Sequence, residues 1–490
     1  MTGFAGRDLI TINDFTNKEI ETVLDLADQM NSILEEGKQI QPCKGMDMAT
    51  LFYEPSTRTR GSFERAMHKL GGTVVSFAEA QTTSSAAKGE TIADTVRVLE
   101  SYADIIVIRH PLEGAAKVAA DYTRVPVINA GDGAHEHPTQ TLCDLYTIRK
   151  AKGRIKGLTV CLRGDLKYGR TVHSLIYALA RFGAEVFCWP PVQDLDMPET
   201  VLRKLRSEYN YVPMKVKPDD LQYMMGEVDV LYITPLKPYT FPLWQDFDIA
   251  SSVEINIRQA LGKTDVIYLT RLQTERRGKT SDAELEESYP IMNHELLGEF
   301  RKKPLVMHPL PRLNELPSEL DKYPKSVYFQ QAAHGVPIRM ALIALLLGSS
   351  QVTAPEGHDS FIGKAVYERY KEVFAVECPN PNCVSRNERE RRYILPEFRI
   401  TKRDPLTLRC IYCEEEIPPE IRHLYIATSE WHDGTLDKKR YYSFDSFMLE
   451  QIKPENLIIF GSEEEAQAEG FKRSQYATTR NKKVQGGAQR

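Results

Sequence analysis

No apolar run in this chain is long enough to cross a membrane. The longest, Met340 to Gly348 (MALIALLLG), is under half of the ~20 residues that a helical span needs. Arg7 and Asp8 precede any apolar stretch at the N-terminus, so no signal peptide is expected. Cysteine is scarce, and Cys43, Cys143, Cys161 and Cys188 stand singly, which excludes a disulfide framework and points to a reducing, cytoplasmic setting. Neither sign of charge dominates: 63 Lys and Arg against 68 Asp and Glu leave a net charge of −5. That balance gives no reason to expect nucleic acid or an acidic membrane surface as a partner.

What is present is a soluble, multi-domain composition. A chain of 490 residues exceeds one core, and 42% hydrophobic with 27% charged residues is the balance of a globular protein. Up to about residue 350, short β-branched or apolar runs alternate with amphipathic helical stretches. Thr73 to Phe77, Asp104 to Ile108, Val125 to Asn129, Leu158 to Leu162, Ala184 to Cys188, Val228 to Ile233, Asp265 to Leu269 and Val327 to Phe329 read as strands. This predicts an α/β protein of two doubly wound parallel-sheet domains joined by interdomain helices. The expected first domain comprises residues 1–150 and 290–348, re-entered through the strand Leu305 to Met307; the second spans 151–289. A small polar linker covers 349–370, a β-rich zinc-binding domain 371–420, and a C-terminal extension 421–490. In that extension Leu457 to Phe460 reads as a strand, and Ser462 with Glu465 has capping-box spacing. From Phe471 onward six basic residues and no acids read as a solvated tail.

Two stretches carry chemistry. Phe52 to Gly71 runs from an apolar strand end through Glu54-Pro55 into Ser56, Thr57, Arg58, Thr59 and Arg60 at a helix start, with Phe63, Ala66, Met67 and Leu70 at helical spacing behind them. A helix N-terminus with two hydroxyls and two guanidinium groups makes a phosphate cradle; the same residues also fit a capped helix with solvated arginines. The second stretch is Cys378-x4-Cys383, followed after 26 residues by Cys410-x2-Cys413. Two close pairs bring four thiolates into the tetrahedron of a structural Zn²⁺ site, which leaves no open position for catalysis.

Ser56-Thr-Arg-Thr-Arg60, His137-Pro-Thr-Gln140, Arg163-Gly-Asp-Leu-Lys-Tyr-Gly-Arg170, Thr270-Arg-Leu-Gln273 and His308-Pro-Leu-Pro-Arg312 occur in that order. Over roughly residues 5 to 348 the set resembles aspartate carbamoyltransferase catalytic chains. Val376 to Ile417 resembles the zinc domain of that enzyme's regulatory chain, so the whole looks like a fusion of the two.

The resemblance implies transfer of the carbamoyl group of carbamoyl phosphate to the amine of L-aspartate, a step of de novo pyrimidine synthesis, with no organic cofactor. Ser56, Thr57, Arg58 and Thr59 would grip the phosphate. Arg109 would reach phosphate and carbonyl oxygen, and His137 with Thr59 and Arg109 would stabilise the oxyanion. Gln140 and the carbonyls of Pro309 and Leu310 would hold the carbamoyl amide. Arg58, Thr59, Arg109 and His137 are thus the expected catalytic residues. Arg170, Arg271, Gln273 and Lys88 would bind aspartate, with Ser84 and Lys88 supplied by a neighbouring subunit of a homotrimer or an assembly of trimers. The loop departs from its relatives at Ala87, where some carry a second lysine, and at Ala86, which replaces a glycine. Cys378, Cys383, Cys410 and Cys413 would bind the zinc. About 28 residues separate Gly348 from Val376, too few for the regulatory chain's nucleotide-binding domain, so weak or absent response to CTP and ATP is expected.

Two rivals remain. A carbamoyltransferase for ornithine shares the phosphate cradle, but that family has Cys at the place of Pro309 and lacks the Arg271-x-Gln273 pair. A catalytically inactive regulatory zinc protein is the other, against which stands the complete set of matched residues.

Overall fold

In the computed structural model, the structure describes residues 3–78, 80, 89–167, 169–190, 195–216, 228–234, 264–271, 292–298, 303–312, 315–349, 372–373, 377–387, 394, 396–403, 406–417, 425–430, 436–443, 452, 458–460 and 462–474. Helix α1 (Asn17–Glu35) starts at Thr16, whose hydroxyl accepts from Glu19 N while the Glu19 carboxylate returns to Thr16 N. Its Ile20, Val23, Leu24, Ala27 and Met30 fall at helical spacing and are buried. Full burial of one such side chain as Leu24 stabilises by about 1.5–3 kcal/mol.

The first sheet contains β1 (Asp47–Phe52), β2 (Thr73–Phe77), β3 (Ile105–His110) and β4 (Val127–Asp132). The order is β2-β1-β3-β4, all parallel, with Met48 opposite Ile105 and Ile106 opposite Val127. Met48 and Phe52 join one core, Ala49 and Leu51 another, so β1 is buried on both faces, as parallel sheets require. Helix α2 (Thr57–Lys69) follows β1, α3 (Ile92–Leu99) follows β2, and α4 (Ala115–Tyr122) follows β3.

Helix α5 (Pro138–Lys152) leaves the first sheet and leads to the second. Apart from its last residues it is buried nearly all round, because both units pack against it. The second sheet holds β5 (Thr159–Arg163), β6 (Glu185–Trp189), β7 (Met214–Lys215), β8 (Val230–Ile233), β9 (Val266–Leu269) and β10 (Leu305–Met307) in the order β10-β9-β8-β5-β6-β7, again parallel. Helices α6 (Arg170–Arg181) and α7 (Glu199–Tyr209) lie between β5 and β7 along the chain, and α8 (His294–Gly298) precedes β10.

Two expectations need correction. Leu305 to Met307 was to re-enter the first unit, yet β10 pairs with β9 at Leu305↔Val266 and Met307↔Tyr268 and so closes the second sheet. The return comes later, through α9 (Tyr328–Ala333) and α10 (Gly335–Leu346); α10 is buried nearly all round, Arg339 included, and packs against α1 and α2. Val327 to Phe329, read as a strand, opens α9 instead, and only Ser326 bridges to Val306. A three-residue apolar run fixes neither helix nor strand.

The cysteine-bearing module contains α11 (Val384–Asn387) and the antiparallel sheet β12-β13-β14 (Phe398–Arg403, Leu406–Cys410, Glu416–Ile417). The C-terminal extension forms β15 (Tyr425–Glu430), β16 (Leu436–Ser443), β17 (Ile458–Phe460), α12 (Glu463–Ala468) and β18 (Lys472–Arg473). Ser462 caps α12 through Glu465 N, as its spacing predicts. The short β11 (Glu372–Val373), which precedes the module in the chain, pairs with β17, so the extension's sheet reaches back across the module in sequence. No helix among the described residues is long and apolar enough to cross a membrane.

Candidate active site and metal centre

One cavity of about 830 Å³ lies where the carboxyl ends of strands from both sheets meet. From the first unit its walls include Glu54, Ser56, Arg58, Thr59, Arg109, His137 and Gln140; from the second, Arg271, Pro309 and Leu310. Thr57, the first residue of α2, is not among its walls. Arg170 begins α6, but its side chain, like Ser84, Lys88 and Gln273 as a whole, lies outside the described residues.

Ser56 occupies the N-cap of α2 without making a side-chain cap bond. The hydroxyl therefore does not close the helix, and the residue lines the cavity. Arg58 stands beside it, and its Nη2 donates to the Leu310 carbonyl at 2.6 Å. Burial, then Arg271 and Arg109, lower the Arg58 pKa. Three guanidinium groups thus lie close enough for two of them to act on the third, in a place suited to an anion.

Arg109 is the last residue but one of β3 and is fixed from two sides. Its Nη2 pairs with Glu54 at 3.1 Å, and its Nη1 donates to the Ala130 carbonyl at 3.1 Å. Gly131, at φ 116°, leaves room for it: a Cβ there would lie 2.8 Å from Nη1. Glu54 was missed as a site residue, although it stands in the same stretch as the cradle.

His137 is the N-cap of α5, with Pro138 in the first turn. Its backbone N–H donates to Ser174 Oγ on α6 at 3.3 Å, and that hydroxyl donates to Glu136 Oε2 at 2.8 Å. A buried link thus ties the histidine's backbone to the helix that starts at Arg170. Burial pushes the Glu136 carboxyl up to about 7, opposed by His135 and Lys204. The folded state then holds this proton more tightly than the unfolded chain. The group's contribution to stability therefore falls as pH rises from its ordinary 4.5 to about 7. The stability of the wild type relative to Glu136→Gln, measured by urea unfolding, is expected to fall between about pH 5 and about pH 8; a flat or rising difference contradicts this.

The His308-Pro-Leu-Pro-Arg312 turn follows β10. Leu310 takes φ 55° and its N–H donates to His308 Nδ1 at 2.8 Å, while His308 Nε2 meets Glu315 at 3.0 Å. The imidazole is therefore held between the turn's own backbone and a buried carboxylate.

The Sγ atoms of Cys378, Cys383, Cys410 and Cys413 are all buried and lie within 4.8 Å of one another. Cys378 to Cys413 is 3.4 Å and Cys383 to Cys410 is 3.8 Å. Thiolates at about 2.3 Å from a tetrahedral ion lie about 3.8 Å apart, so the set fits a four-coordinate metal. The module docks on both units. Glu113 N donates to Asn382 O at 3.1 Å, Val384 N to Glu113 O at 2.9 Å and Asn380 Nδ2 to Glu113 Oε2 at 2.6 Å. Gly114, at φ 86°, admits Tyr412 where a Cβ would approach it to 2.5 Å. On α7, Lys204 pairs with Glu414, Arg203 with Glu416 at 2.9 Å, and Glu208 with Arg409 and Arg399.

Comparison with known proteins agrees with this geometry. Residues 7–150 match the family described as aspartate/ornithine carbamoyltransferase, carbamoyl-P binding domain, and 246–346 match its Asp/Orn binding domain. Residues 368–422 match the aspartate carbamoyltransferase regulatory chain, metal binding domain. The chain is 44% identical over 350 residues to the aspartate carbamoyltransferase catalytic subunit of Methanopyrus kandleri, covering 71% of this chain and 99% of that one. For the Thermococcus gammatolerans catalytic subunit the figures are 44%, 70% and 98%. Among solved structures, the catalytic subunit of M. jannaschii aspartate transcarbamoylase aligns at 38% identity and TM-score 0.55, covering 70% of this chain and 99% of that one. The Trypanosoma cruzi enzyme with carbamoyl aspartate and phosphate aligns at 33% identity and TM-score 0.55, covering 71% and 97%.

Proposed function

Because this chain belongs to the aspartate/ornithine carbamoyltransferase family and carries a regulatory-chain metal domain on the same polypeptide, we propose that it carbamoylates L-aspartate. The aspartate amine attacks the carbonyl carbon of carbamoyl phosphate. A C–N bond forms, the C–O bond to phosphate breaks, and the amine gives up a proton as phosphate leaves. The product is N-carbamoyl-L-aspartate, made for pyrimidine synthesis.

One observation carries this reading: Arg58, Arg109, His137, Gln140, Arg271 and the Pro309-Leu310 turn, distant in sequence, wall a single cavity. Ser56, Thr57, Thr59 and the α2 N-terminus take the phosphate, with Arg58 neutralising charge on the leaving oxygen. Arg109, His137 and Thr59 face the carbonyl oxygen, where charge builds in the transition state. Arg271, Arg170 and Gln273 take the aspartate carboxylates, two guanidinium groups for two acids. No nucleophilic side chain is required, since phosphate is a good leaving group and the rate comes from placement and electrostatics. The four cysteines hold a structural Zn²⁺, which organises the module and takes no part in the chemistry. Ser84 and Lys88 reach a neighbouring subunit's site in a homotrimer of a cytoplasmic enzyme.

Acceptor choice tests the reading. With carbamoyl phosphate saturating, L-aspartate is expected to be carbamoylated and L-ornithine turned over at least about 100-fold more slowly, because its ammonium meets the three arginines. Preference for ornithine, or turnover with neither from assembled protein, refutes it.

A further inference from the structure

Asp144 sits fully buried on α5, one turn beyond Gln140, and the mechanism above gives it no part. Its Oδ1 accepts from three donors: Gln140 Nε2 at 2.9 Å, Tyr268 Oη at 2.7 Å and Gln331 Nε2 at 3.2 Å. Gln331 Oε1 in turn accepts from His308 N at 2.8 Å, the first residue of the turn that presents Pro309 and Leu310. The direction of these bonds is fixed at both ends. A backbone N–H can only donate, so the oxygen of Gln331 must face His308 and its nitrogen must face Asp144. With the carboxyl ionised, or its proton on Oδ2, Oδ1 can only accept, and the Gln140 atom turned to it is Nε2.

The consequence lies on the other side of Gln140. With one of its two N–H donors held by Asp144, the Gln140 amide keeps its oxygen as an acceptor, and the residue helps to wall the cavity. The Leu310 N–H is consumed by His308 Nδ1, so the turn offers acceptors there: the Pro309 carbonyl, and the Leu310 carbonyl, which already takes one donor from Arg58 and has a second lone pair. We propose that Asp144 is a positioning residue that sets the Gln140 oxygen, beside the carbonyls of the turn, as an acceptor in this part of the cavity, so that it selects an acyl phosphate bearing an N–H group, the carbamoyl –NH₂, over acyl phosphates that carry a methyl there. The residue touches no substrate. It acts through Gln140 directly and through Gln331 and His308 on the turn. The inference rests on the carbamoyl-phosphate reading of the cavity and deepens it. A misoriented Gln140 would present donors to the carbamoyl donors, leaving buried polar groups unpaired, which is the strongest source of discrimination between near-isosteric ligands.

Calorimetric binding of carbamoyl phosphate, acetyl phosphate and inorganic phosphate to the full-length protein tests this. The wild type is expected to prefer carbamoyl over acetyl phosphate. In Asp144→Ala that preference should fall about tenfold, with inorganic phosphate affinity changed less than about twofold, since the phosphate cradle is independent of Asp144. Asp144→Asn keeps the volume and one acceptor oxygen, and serves if the alanine variant does not fold; its preference should fall at least about threefold. Equal loss for all three ligands, or an unchanged preference in a folded variant, overturns the proposal. A wild type that binds none of the three refutes the cavity's assignment itself, and the inference with it.

Discussion

Arg58→Ala is expected to lower kcat for carbamoyl transfer by about 10³-fold, the loss typical when a preorganised charge at the reacting atoms is removed. Arg58 has two tasks in this geometry. It stands at the start of α2, where the backbone donors of the phosphate cradle are, and it binds the Leu310 carbonyl of the turn from the second unit. Its loss takes away charge stabilisation and one direct tie between the units. Arg58→Lys should recover only part of the rate, because an ammonium cannot serve phosphate and carbonyl at once in a fixed fork. The fold should not suffer. Arg58 is lowered in pKa by burial and by Arg271 and Arg109, so in the ligand-free protein its charge is under repulsion. Thermal unfolding of Arg58→Ala without ligand is expected at or slightly above the wild-type temperature. A loss of less than about tenfold in kcat would remove Arg58 from the reaction centre.

Removing the metal should have the largest effect on stability. Binding to a four-thiolate site contributes about 10–16 kcal/mol to the folding of small metal modules. Among the described residues the module has a three-stranded sheet and a short helix around the cysteines. Chelation, or Cys410→Ser with Cys413→Ser, is expected to unfold it and expose all remaining module thiols to titration. The Glu113 backbone pairing and the α7 ion pairs would be lost with it. One face of the first sheet shares its core with the module, but its other face and the second sheet pack without it and should survive, so a protease would leave a fragment close to the first 350 residues in length. Native mass should fall at the same time if the module also staples chains together. Thiols that stay protected after metal loss would contradict this account of the cluster.

Much of this was legible in the sequence, and what escaped has a common cause. Period and punctuation set the strands from Thr73 to Leu269, because a buried parallel strand is a compact apolar run. The cysteine pairs were legible because metal spacing is local. The hydroxyl and arginine residues of α2 were visible, but whether Ser56 caps its helix or faces a ligand depends on where its side chain points. Long-range pairing hid the rest. Leu305 to Met307 looks the same on the edge of either sheet, and only hydrogen bonding to β9 decides. Asp144, Glu136 and Gln331 belong to no motif; they matter because α5, α6, α9 and β9 converge. Docking of the module on Glu113 and Lys204 likewise joins residues that have no pattern in common. Ser84, Lys88 and Gln273 lie outside the described residues and stay proposals of the resemblance.

The most direct test of the central claim is product formation by the purified, metal-replete chain given carbamoyl phosphate and L-aspartate alone. The account predicts N-carbamoyl-L-aspartate and phosphate in equal amounts, and loss of nearly all product when His137 or Arg58 is replaced by alanine. Phosphate released without carbamoyl-aspartate, or product formation that survives both substitutions, would contradict it.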